Sequence, residues 1–243
     1  MKRNGVYDRN MTFLGFKCLS LSLQKTNLVE FLNKIIDLTY LKPDTTRGRI
    51  KQLCEEAQEF DVFSVCVPPY FVQQAARLLE NQPTKICTVI GFPYGYDATQ
   101  VKAEAIKKAV QENVDEIDVV ANIAAIKSGD WAYIANDADS MTRLGHMRNL
   151  TVKWIIEMNL LTEDEIARMC EIAVDKEVDF VKTSTGTVGG AVTVEDIQLL
   201  RRLLPETMQI KASGGIRTRE QAIALVKAGA NRLGTSVIKP LMA

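Results

Sequence analysis

Five charged side chains interrupt apolar runs that are otherwise typical of buried strands. They are two lysines and three carboxylates: Asp37, Asp118, Glu157, Lys182 and Lys211. Each lies at or near the end of its run, where an unpaired buried charge would be strongly destabilising. A structural ion pair would explain any one of them. Five at equivalent positions indicate one end of a sheet that carries out chemistry.

Lys182 and Lys211 end two consecutive predicted strands, "DFVKTS" and "IKAS". In a parallel sheet, neighbouring strands would direct both ammonium groups to the same place. Like charge and desolvation both favour the neutral amine, and together they could lower the pKa of one lysine from ~10.4 towards ~7. A neutral amine can attack a carbonyl carbon and form a Schiff base. The spacing does not decide which lysine is the nucleophile and which is the activating cation.

Two of the carboxylates are candidates for proton transfer. Asp118 in "DEIDVV" and Asp37 in "IIDLT" could hold a water molecule or move a proton within hydrogen-bond reach of the lysines. Carbon–carbon bond chemistry through an iminium is therefore the favoured hypothesis. The single histidine, His146, falls in a polar segment between the fourth and fifth strands and is predicted at the surface. A zinc-dependent aldolase or a triad hydrolase would need histidine in the site, so both are disfavoured.

Glycines and hydroxyl residues follow the last three predicted strands. Backbone N–H groups in such loops can bind a phosphate, and in barrel enzymes the loops after strands seven and eight commonly do so. Two glycine-containing loops after consecutive strands carry more weight than one Gly-Gly pair. The predicted phosphate- and substrate-binding residues are Thr185, Gly186, Gly214, Gly215, Gly234, Thr235 and Ser236.

The elements that must position these residues alternate along the chain. Eight short β-rich runs extend from "KIIDLT" to "NRLGTS", and segments with helical spacing lie between them. Near-continuous apolar strands indicate a parallel sheet covered on both faces, so the predicted fold is α/β, a single-domain (β/α)8 TIM barrel over residues 34–243. Residues 1–33 are predicted as an N-terminal extension with a capping helix, "LVEFLNKI". No G-x-G-x-x-G follows the first strand, which disfavours an open dinucleotide-binding sheet.

The amino-acid composition limits the classes of partner that this protein is expected to bind. Thirty basic and thirty acidic residues cancel, and no long basic run is present, so neither nucleic acid nor an anionic membrane is an expected partner. The N-terminal stretch "MTFLGFKCLSLSL" is too short to span a bilayer. The five cysteines form no close pair in sequence and are predicted to be reduced, which favours a cytoplasmic protein; they are Cys18, Cys54, Cys66, Cys87 and Cys170.

Seven segments resemble, in order, those of the deoxyribose-phosphate aldolase family, class I aldolases with a TIM-barrel fold. They cover roughly residues 35 to 236 and read "IDLTYLKPDTT", "SVCVPPYFV", "CTVIGFPYG", "DEIDVVANI", "VDFVKTSTG", "IKASGGIRT" and "GTS". The resemblance implies reversible cleavage of 2-deoxy-D-ribose 5-phosphate into D-glyceraldehyde 3-phosphate and acetaldehyde. It also implies that neither a metal nor an organic cofactor is required.

The resemblance assigns roles that the spacing leaves open. It implies that Lys182 forms the Schiff base, that Lys211 is the activating neighbour, and that Asp118 relays protons with support from Asp37. It places phosphate contacts at the loops of Gly186, Gly214, Gly215, Gly234, Thr235 and Ser236. The expected partners are small phosphorylated sugars and aldehydes, and a homodimer or larger homo-oligomer is compatible with this interpretation.

Some positions depart from the family's pattern. Met158 and Asn159 place larger groups beside the end of the fifth strand, and Thr187 stands where many members carry phenylalanine or lysine. The sequence ends at Ala243 without the tail tyrosine of some members. We expect these differences to affect aldehyde preference and phosphate binding. Two alternatives stay open: a Schiff-base aldolase or transaldolase-like barrel with another carbonyl donor, and a barrel that binds sugar phosphates without turnover.

Overall fold

Eight short parallel strands pair in the order of the sequence and close into a barrel in the computed structural model, which describes residues 31–243. The first strand pairs with both the second and the eighth, so the sheet has no free edge. The (β/α)8 TIM barrel predicted from the sequence is confirmed. The strands are β1 (Ile36–Thr39), β2 (Ser64–Val67), β3 (Lys85–Ile90), β4 (Glu116–Val120), β5 (Thr151–Ile155), β6 (Phe180–Lys182), β7 (Gln209–Ser213) and β8 (Arg232–Thr235).

Helices follow every strand within the described part of the chain, and two of them follow β4. They are α1 (Arg47–Glu59), α2 (Val72–Leu78), α3 (Thr99–Gln111), α4 (Ile123–Lys127), α5 (Trp131–His146), α6 (Glu163–Asp175), α7 (Val194–Leu203), α8 (Arg219–Ala228) and α9 (Lys239–Met242). Three short 3-10 turns cover Leu32–Ile35, Pro69–Phe71 and Met158–Leu160. None of the helices within residues 31–243 has the length and apolar character that a bilayer-spanning helix requires.

The helices α6, α7 and α8 begin with the same N-terminal capping motif. In each of them a threonine side chain accepts a hydrogen bond from the backbone N–H three residues on, and the side chain at that position bonds back to the threonine N–H. Such capping boxes satisfy backbone donors that a helix start leaves free. The helix starts that follow β5, β6 and β7 are therefore set by local sequence, which fixes where the preceding loops must end.

The predicted polar segment between strands four and five is in fact helical. Residues 123–127 and 131–146 form α4 and α5, and Asp130 caps α5 by accepting from Tyr133 N–H. The buried face of α5 includes Asp137, Thr142 and Gly145 beside apolar residues. A prediction from hydrophobic periodicity therefore does not detect this helix. In the N-terminal extension, residues 32–35 of the predicted capping helix form a 3-10 turn. Its residues 28–30 lie outside the described residues.

The hydrophobic core lies between the barrel and its ring of helices. Strand residues that face outward into this layer are fully buried, among them Leu38, Val65, Val119, Trp154 and Leu233. Successive strand residues point to opposite faces, so their neighbours point into the barrel. Several of those inward neighbours are charged, and they form the group described below.

A buried ion pair joins α3 and α5 outside the barrel. Lys102 Nζ donates to Asp137 Oδ2 at 2.6 Å and to the carbonyl oxygen of Val120, the last residue of β4, at 2.9 Å. Thr99 Oγ1 donates to the other Asp137 oxygen at 2.8 Å. The side chains of Lys102 and Asp137 have no exposed surface. This pair therefore ties two helices to the end of β4.

We predict that Lys102→Met lowers the free energy of unfolding by about 3–5 kcal/mol, because it leaves the Asp137 carboxylate buried without its cation. The double variant Lys102→Met/Asp137→Leu should recover most of this loss, since neither charge remains. The matched control is Lys107→Met, whose exposed pair with Glu104 should be worth about 1 kcal/mol or less. Urea denaturation measures all three. Equal stability of the Lys102 and Lys107 single variants would contradict the assignment.

Candidate active site

One carboxylate, that of Asp118 on β4, binds side chains from four other strands. Its Oδ2 accepts hydrogen bonds from Lys182 Nζ and from Lys211 Nζ, both at 2.7 Å. Its Oδ1 accepts from Lys153 Nζ at 2.9 Å and from Cys87 Sγ at 3.1 Å. All these residues are at most 2% exposed. Asp118 is therefore the centre of a dry polar group inside the barrel.

Strand register places these side chains together. Lys182 on β6 is the register partner of Lys211 on β7, and Asp118 on β4 is the partner of Lys153 on β5. Partners in a parallel sheet point to the same face, and here that face is the barrel interior. The expectation that Lys182 and Lys211 point into one place is met, since both ammonium groups contact a single oxygen atom.

A second ring of charges supports the first. Asp37 on β1 forms ion pairs with Lys211 and with Arg232 on β8, the latter at 2.8 Å, and accepts from Ser64 Oγ at 2.6 Å. Glu116 on β4 pairs with Lys153 at 2.6 Å and with Arg232 at 3.2 Å. Each charge in these two groups thus has at least one partner of opposite sign, as burial requires.

Neighbouring carboxylates determine the pKa of Lys211. Burial alone would lower that pKa, but attraction to Asp118 and Asp37 outweighs burial and holds it above its ordinary value. Lys211 therefore stays protonated, as the role of activating cation requires. The lowered amine pKa expected for the other lysine stays a prediction.

The pKa values of Asp118 and Asp37 are both lowered. Burial would raise the pKa of Asp118, but Lys153, Lys182 and Lys211 outweigh it and hold the pKa well below the ordinary aspartate range. The pKa of Asp37 is also lowered, because Lys211 and Arg232 outweigh burial. Both aspartates are consequently ionised at neutral pH, and Asp118 can accept a proton only from a group that becomes strongly acidic beside it.

Three members of the charged group escaped the sequence reading: Glu116, Lys153 and Arg232. That reading took only charges at the ends of strands, and these three lie nearer the strand starts. The signal was present for Glu116, which stands two residues before the predicted site residue Asp118. A period of two along a strand places such residues on the same face.

The predicted phosphate loops lie at the same end of the barrel, because all eight strands are parallel. Gly186, Gly214 and Gly215 all adopt positive φ, which glycine tolerates. A Cβ on Gly234 would lie 2.3 Å from Ser213 Oγ and 3.3 Å from Lys211 Cε, so glycine leaves room for the lysine there. Gly234, near the end of β8, therefore borders the charged group, and the role of the loops in phosphate binding stays a prediction.

The hydroxyl residues of these loops have protein partners. Thr235 Oγ1 bonds to the carbonyl oxygen of Ile216 at 2.8 Å, and Ser236 is exposed. Thr185 directs both its backbone N–H and its hydroxyl to Glu157 Oε2. Thr187 in turn donates its N–H to Thr185 Oγ1 at 3.2 Å. Thr185 therefore holds Glu157 in place beside the loop.

Two cysteines lie beside Asp118. Cys66 on β2 and Cys87 on β3 are register partners, and their sulfur atoms lie with an Asp118 oxygen within 4.8 Å of one another. These three side chains have the donor types of a metal site. Lys153 Nζ, however, is 3.5 Å from Cys87 Sγ and hydrogen-bonds Asp118, and both oxygens of that carboxylate bind ammonium groups. We therefore interpret the trio as part of the hydrogen-bonded group.

The remaining sequence predictions concern single residues. Cys54, Cys66, Cys87 and Cys170 are buried and free, as predicted, whereas Cys18 lies outside the described residues. His146 ends α5 and is half-buried, with Nε2 2.9 Å from Asp179 Oδ2. Because Asp179 immediately precedes β6, His146 lies at the opposite end of the barrel from Lys182.

Comparison with known proteins agrees with this geometry. The family model of the DeoC/LacD family aldolases matches residues 32–237. The chain belongs to this aldolase family. It is 45% identical over 205 residues to the deoxyribose-phosphate aldolase of Thermococcus gammatolerans, covering 84% of this chain and 91% of that one. Identity to the deoxyribose-phosphate aldolase of Thermococcus kodakarensis is 46%, covering 84% and 92%.

Solved structures give the same fold. A deoxyribose phosphate aldolase from Aeropyrum pernix, described as a unique tetramer, superposes with a TM-score of 0.80 at 29% identity, covering 86% of this chain and 88% of that one. An aldolase named QR15 superposes with a TM-score of 0.80 at 35% identity, covering 84% and 91%. The barrel described above is therefore the fold of other DeoC/LacD aldolases.

We predict that Asp118→Asn lowers the free energy of unfolding at pH 7 by about 3–5 kcal/mol, because three buried cations lose their shared anion. A folded-state pKa below the unfolded value of about 3.9 contributes stability above that pH and loses it as the pH falls. The difference in free energy of unfolding between the parent and Asp118→Asn should therefore stay constant down to about pH 5 and shrink below about pH 4. Urea denaturation across this range measures it, and a pH-independent difference would contradict the shift.

Proposed function

We propose that this aldolase cleaves 2-deoxy-D-ribose 5-phosphate reversibly into D-glyceraldehyde 3-phosphate and acetaldehyde, through a Schiff base on Lys182. The observation that carries the proposal is the single Asp118 oxygen that accepts hydrogen bonds from both Lys182 and Lys211. It supplies a nucleophile, a fixed cation and a proton acceptor within one hydrogen-bonded unit.

The contacts of the two lysines support Lys182 as the nucleophile. Lys211 pairs with two carboxylates, Asp118 and Asp37, and its raised pKa keeps it protonated. Within residues 31–243, Lys182 forms its ion pair with Asp118 alone. Lys182 is therefore the lysine with fewer carboxylate partners, and we assign to its free amine the attack on the aldehyde carbon C1. Loss of water from the adduct leaves an iminium.

Asp118 then serves the bond-breaking step. Its carboxylate accepts the proton of the substrate C3 hydroxyl, the C2–C3 bond breaks, and the electron pair moves to the iminium to give an enamine. C3 leaves as the aldehyde carbon of glyceraldehyde 3-phosphate. Protonation of the enamine at C2 and hydrolysis of the iminium release acetaldehyde and restore the Lys182 amine. Lys211 and Lys153 hold the Asp118 carboxylate in position throughout.

The phosphate end of the substrate is assigned to the loops after β6, β7 and β8. Their backbone N–H groups at Gly186, Gly214, Gly215 and Ser236 provide donors without side-chain bulk. The loops of Gly186 and Gly214 approach each other closely, since a Cβ on Gly186 would lie 3.9 Å from Gly214 Cα. This supports a single anion site that both loops line.

Location and assembly are part of the same proposal. We place the enzyme in the cytoplasm, which the four free buried cysteines support. We also propose a homo-oligomer, in line with the tetramer described for the Aeropyrum pernix relative. The proposed partners are small phosphorylated sugars and aldehydes.

We predict that acetaldehyde and borohydride together attach one ethyl group to Lys182, because reduction fixes the iminium as a secondary amine. Peptide mass spectrometry locates the modified residue. Lys182→Met should abolish both the adduct and cleavage, while the control variant Lys107→Met, which removes an exposed lysine of α3, should keep the adduct on Lys182.

An adduct on another lysine, or none, would contradict the assignment of Lys182. A panel of carbonyl donors with glyceraldehyde 3-phosphate separates the alternatives. Preference for dihydroxyacetone over acetaldehyde would favour an aldolase with another donor. Binding of the sugar phosphate without any cleavage would favour a non-catalytic barrel.

A further inference from the structure

Glu157 is a buried carboxylate at the mouth of the barrel for which the mechanism above has no role. It lies two residues beyond the end of β5 and is 1% exposed. Its backbone adopts the left-handed conformation, with φ 51° and ψ 54°, which is uncommon for a residue with a long side chain. Residues held in this conformation cluster at functional sites, where the surrounding structure offsets the strain.

The two oxygens of Glu157 have different environments. Oε2 accepts two hydrogen bonds from Thr185, one from its hydroxyl and one from its backbone N–H at 3.1 Å. Oε1 is buried and has no hydrogen-bond partner among residues 31–243. A buried acceptor without a partner is destabilising, so its retention calls for an explanation. One oxygen of the carboxylate binds the protein, and the other has no partner within the described residues.

Glu157 lies close to the proposed nucleophile and to the proposed phosphate site. Burial raises the pKa of Glu157, and the charge of Lys182 is near enough to oppose that rise. Thr185, its hydrogen-bond partner, immediately precedes Gly186 of the proposed phosphate site. Glu157 therefore lies beside the segment that links the Schiff-base lysine to the phosphate loops.

A sugar phosphate extended between these points presents two hydroxyl groups. The hydroxyl on C3 reacts, and the proposed mechanism assigns it to Asp118. The hydroxyl on C4 lies between C3 and the phosphate-bearing C5 and takes no part in bond breaking. In the reverse direction it is the 2-hydroxyl of glyceraldehyde 3-phosphate. It is the polar group of the substrate that still lacks an assigned partner.

We propose that Glu157 Oε1 accepts a hydrogen bond from this C4 hydroxyl and so selects acceptor aldehydes that carry a hydroxyl beside the carbonyl. This inference rests on the proposed aldolase function. It makes Glu157 a substrate-binding residue that determines specificity, in addition to Lys182, Lys211 and Asp118. Thr185 then acts through Glu157, by holding Oε2 so that Oε1 faces the substrate.

The experiment measures addition of acetaldehyde to two acceptors, D-glyceraldehyde 3-phosphate and 3-oxopropyl phosphate, which lacks only the 2-hydroxyl. In the parent enzyme, kcat/KM should favour the hydroxylated acceptor on the order of 100-fold, as expected for a buried polar group built to bind a hydroxyl. In Glu157→Met this ratio should fall at least roughly tenfold, mainly because kcat/KM for the hydroxylated acceptor decreases.

A role in holding the loop alone would give a different pattern. If Glu157 only ordered the loop after β6, Glu157→Met would slow both acceptors by the same factor and leave their ratio unchanged. Asn159→Ala is the matched control, because Asn159 Nδ2 donates to the Gly189 carbonyl of that loop at 3.3 Å without contacting Glu157 Oε1. It should preserve the ratio whatever its effect on rate.

Each outcome bears on the inference. An unchanged ratio in Glu157→Met, or an equal fall in Asn159→Ala, overturns it. If Glu157→Met does not fold, Glu157→Ala replaces it, because it also removes every hydrogen-bonding group of this side chain, and an unchanged ratio there is equally contrary. A parent ratio near one overturns the inference without any variant. A parent that adds acetaldehyde to neither acceptor overturns the aldolase proposal itself, which distinguishes the two failures.

Discussion

The site depends on one interaction: the Asp118 carboxylate that binds three lysines in the buried interior of the barrel. Each ammonium group would be too costly to bury alone, and the carboxylate would be equally costly without them. Together they stabilise a charged interior in which the distances between reacting groups are set in advance. Such preorganisation lets the enzyme stabilise developing charge without rearranging solvent. Lys211 and Lys153 hold Asp118, and this leaves Lys182 as the amine with the fewest carboxylate partners.

The closed parallel barrel makes this arrangement feasible. Alternation along each strand sends Trp154 and Val119 outward into the apolar layer while Lys153 and Asp118 point inward. The outward layer supplies the hydrophobic stabilisation, so the interior can hold charge. Outside the sheet, Lys102 and Asp137 fix the end of β4, two residues beyond Asp118. Inward-facing charges at the carboxyl ends of the strands can therefore serve chemistry rather than stability.

Sequence reasoning succeeded where a pattern is local and periodic. Alternating strands and helices gave the barrel, and breaks in apolar runs located Lys182, Lys211 and Asp118. It missed Lys153 and Arg232, since it weighed only strand ends and ignored inward positions nearer the strand starts. It missed the α4–α5 pair because small and polar residues occupy the buried face of α5. It did not predict the raised pKa of Lys211, because that shift depends on carboxylates that two other strands bring to this lysine.

The most direct test of the shared carboxylate is the ionisation of Asp118 itself. Carbon-13 NMR of protein labelled at the aspartate carboxyl carbons, with the signal assigned by its loss in Asp118→Asn, reports the charge as the pH is lowered. An ordinary aspartate is half-protonated near about pH 3.9. The account predicts that the Asp118 signal remains at its ionised position down to about pH 3, or until the protein unfolds. A midpoint at or above about pH 4 in the folded protein would contradict it.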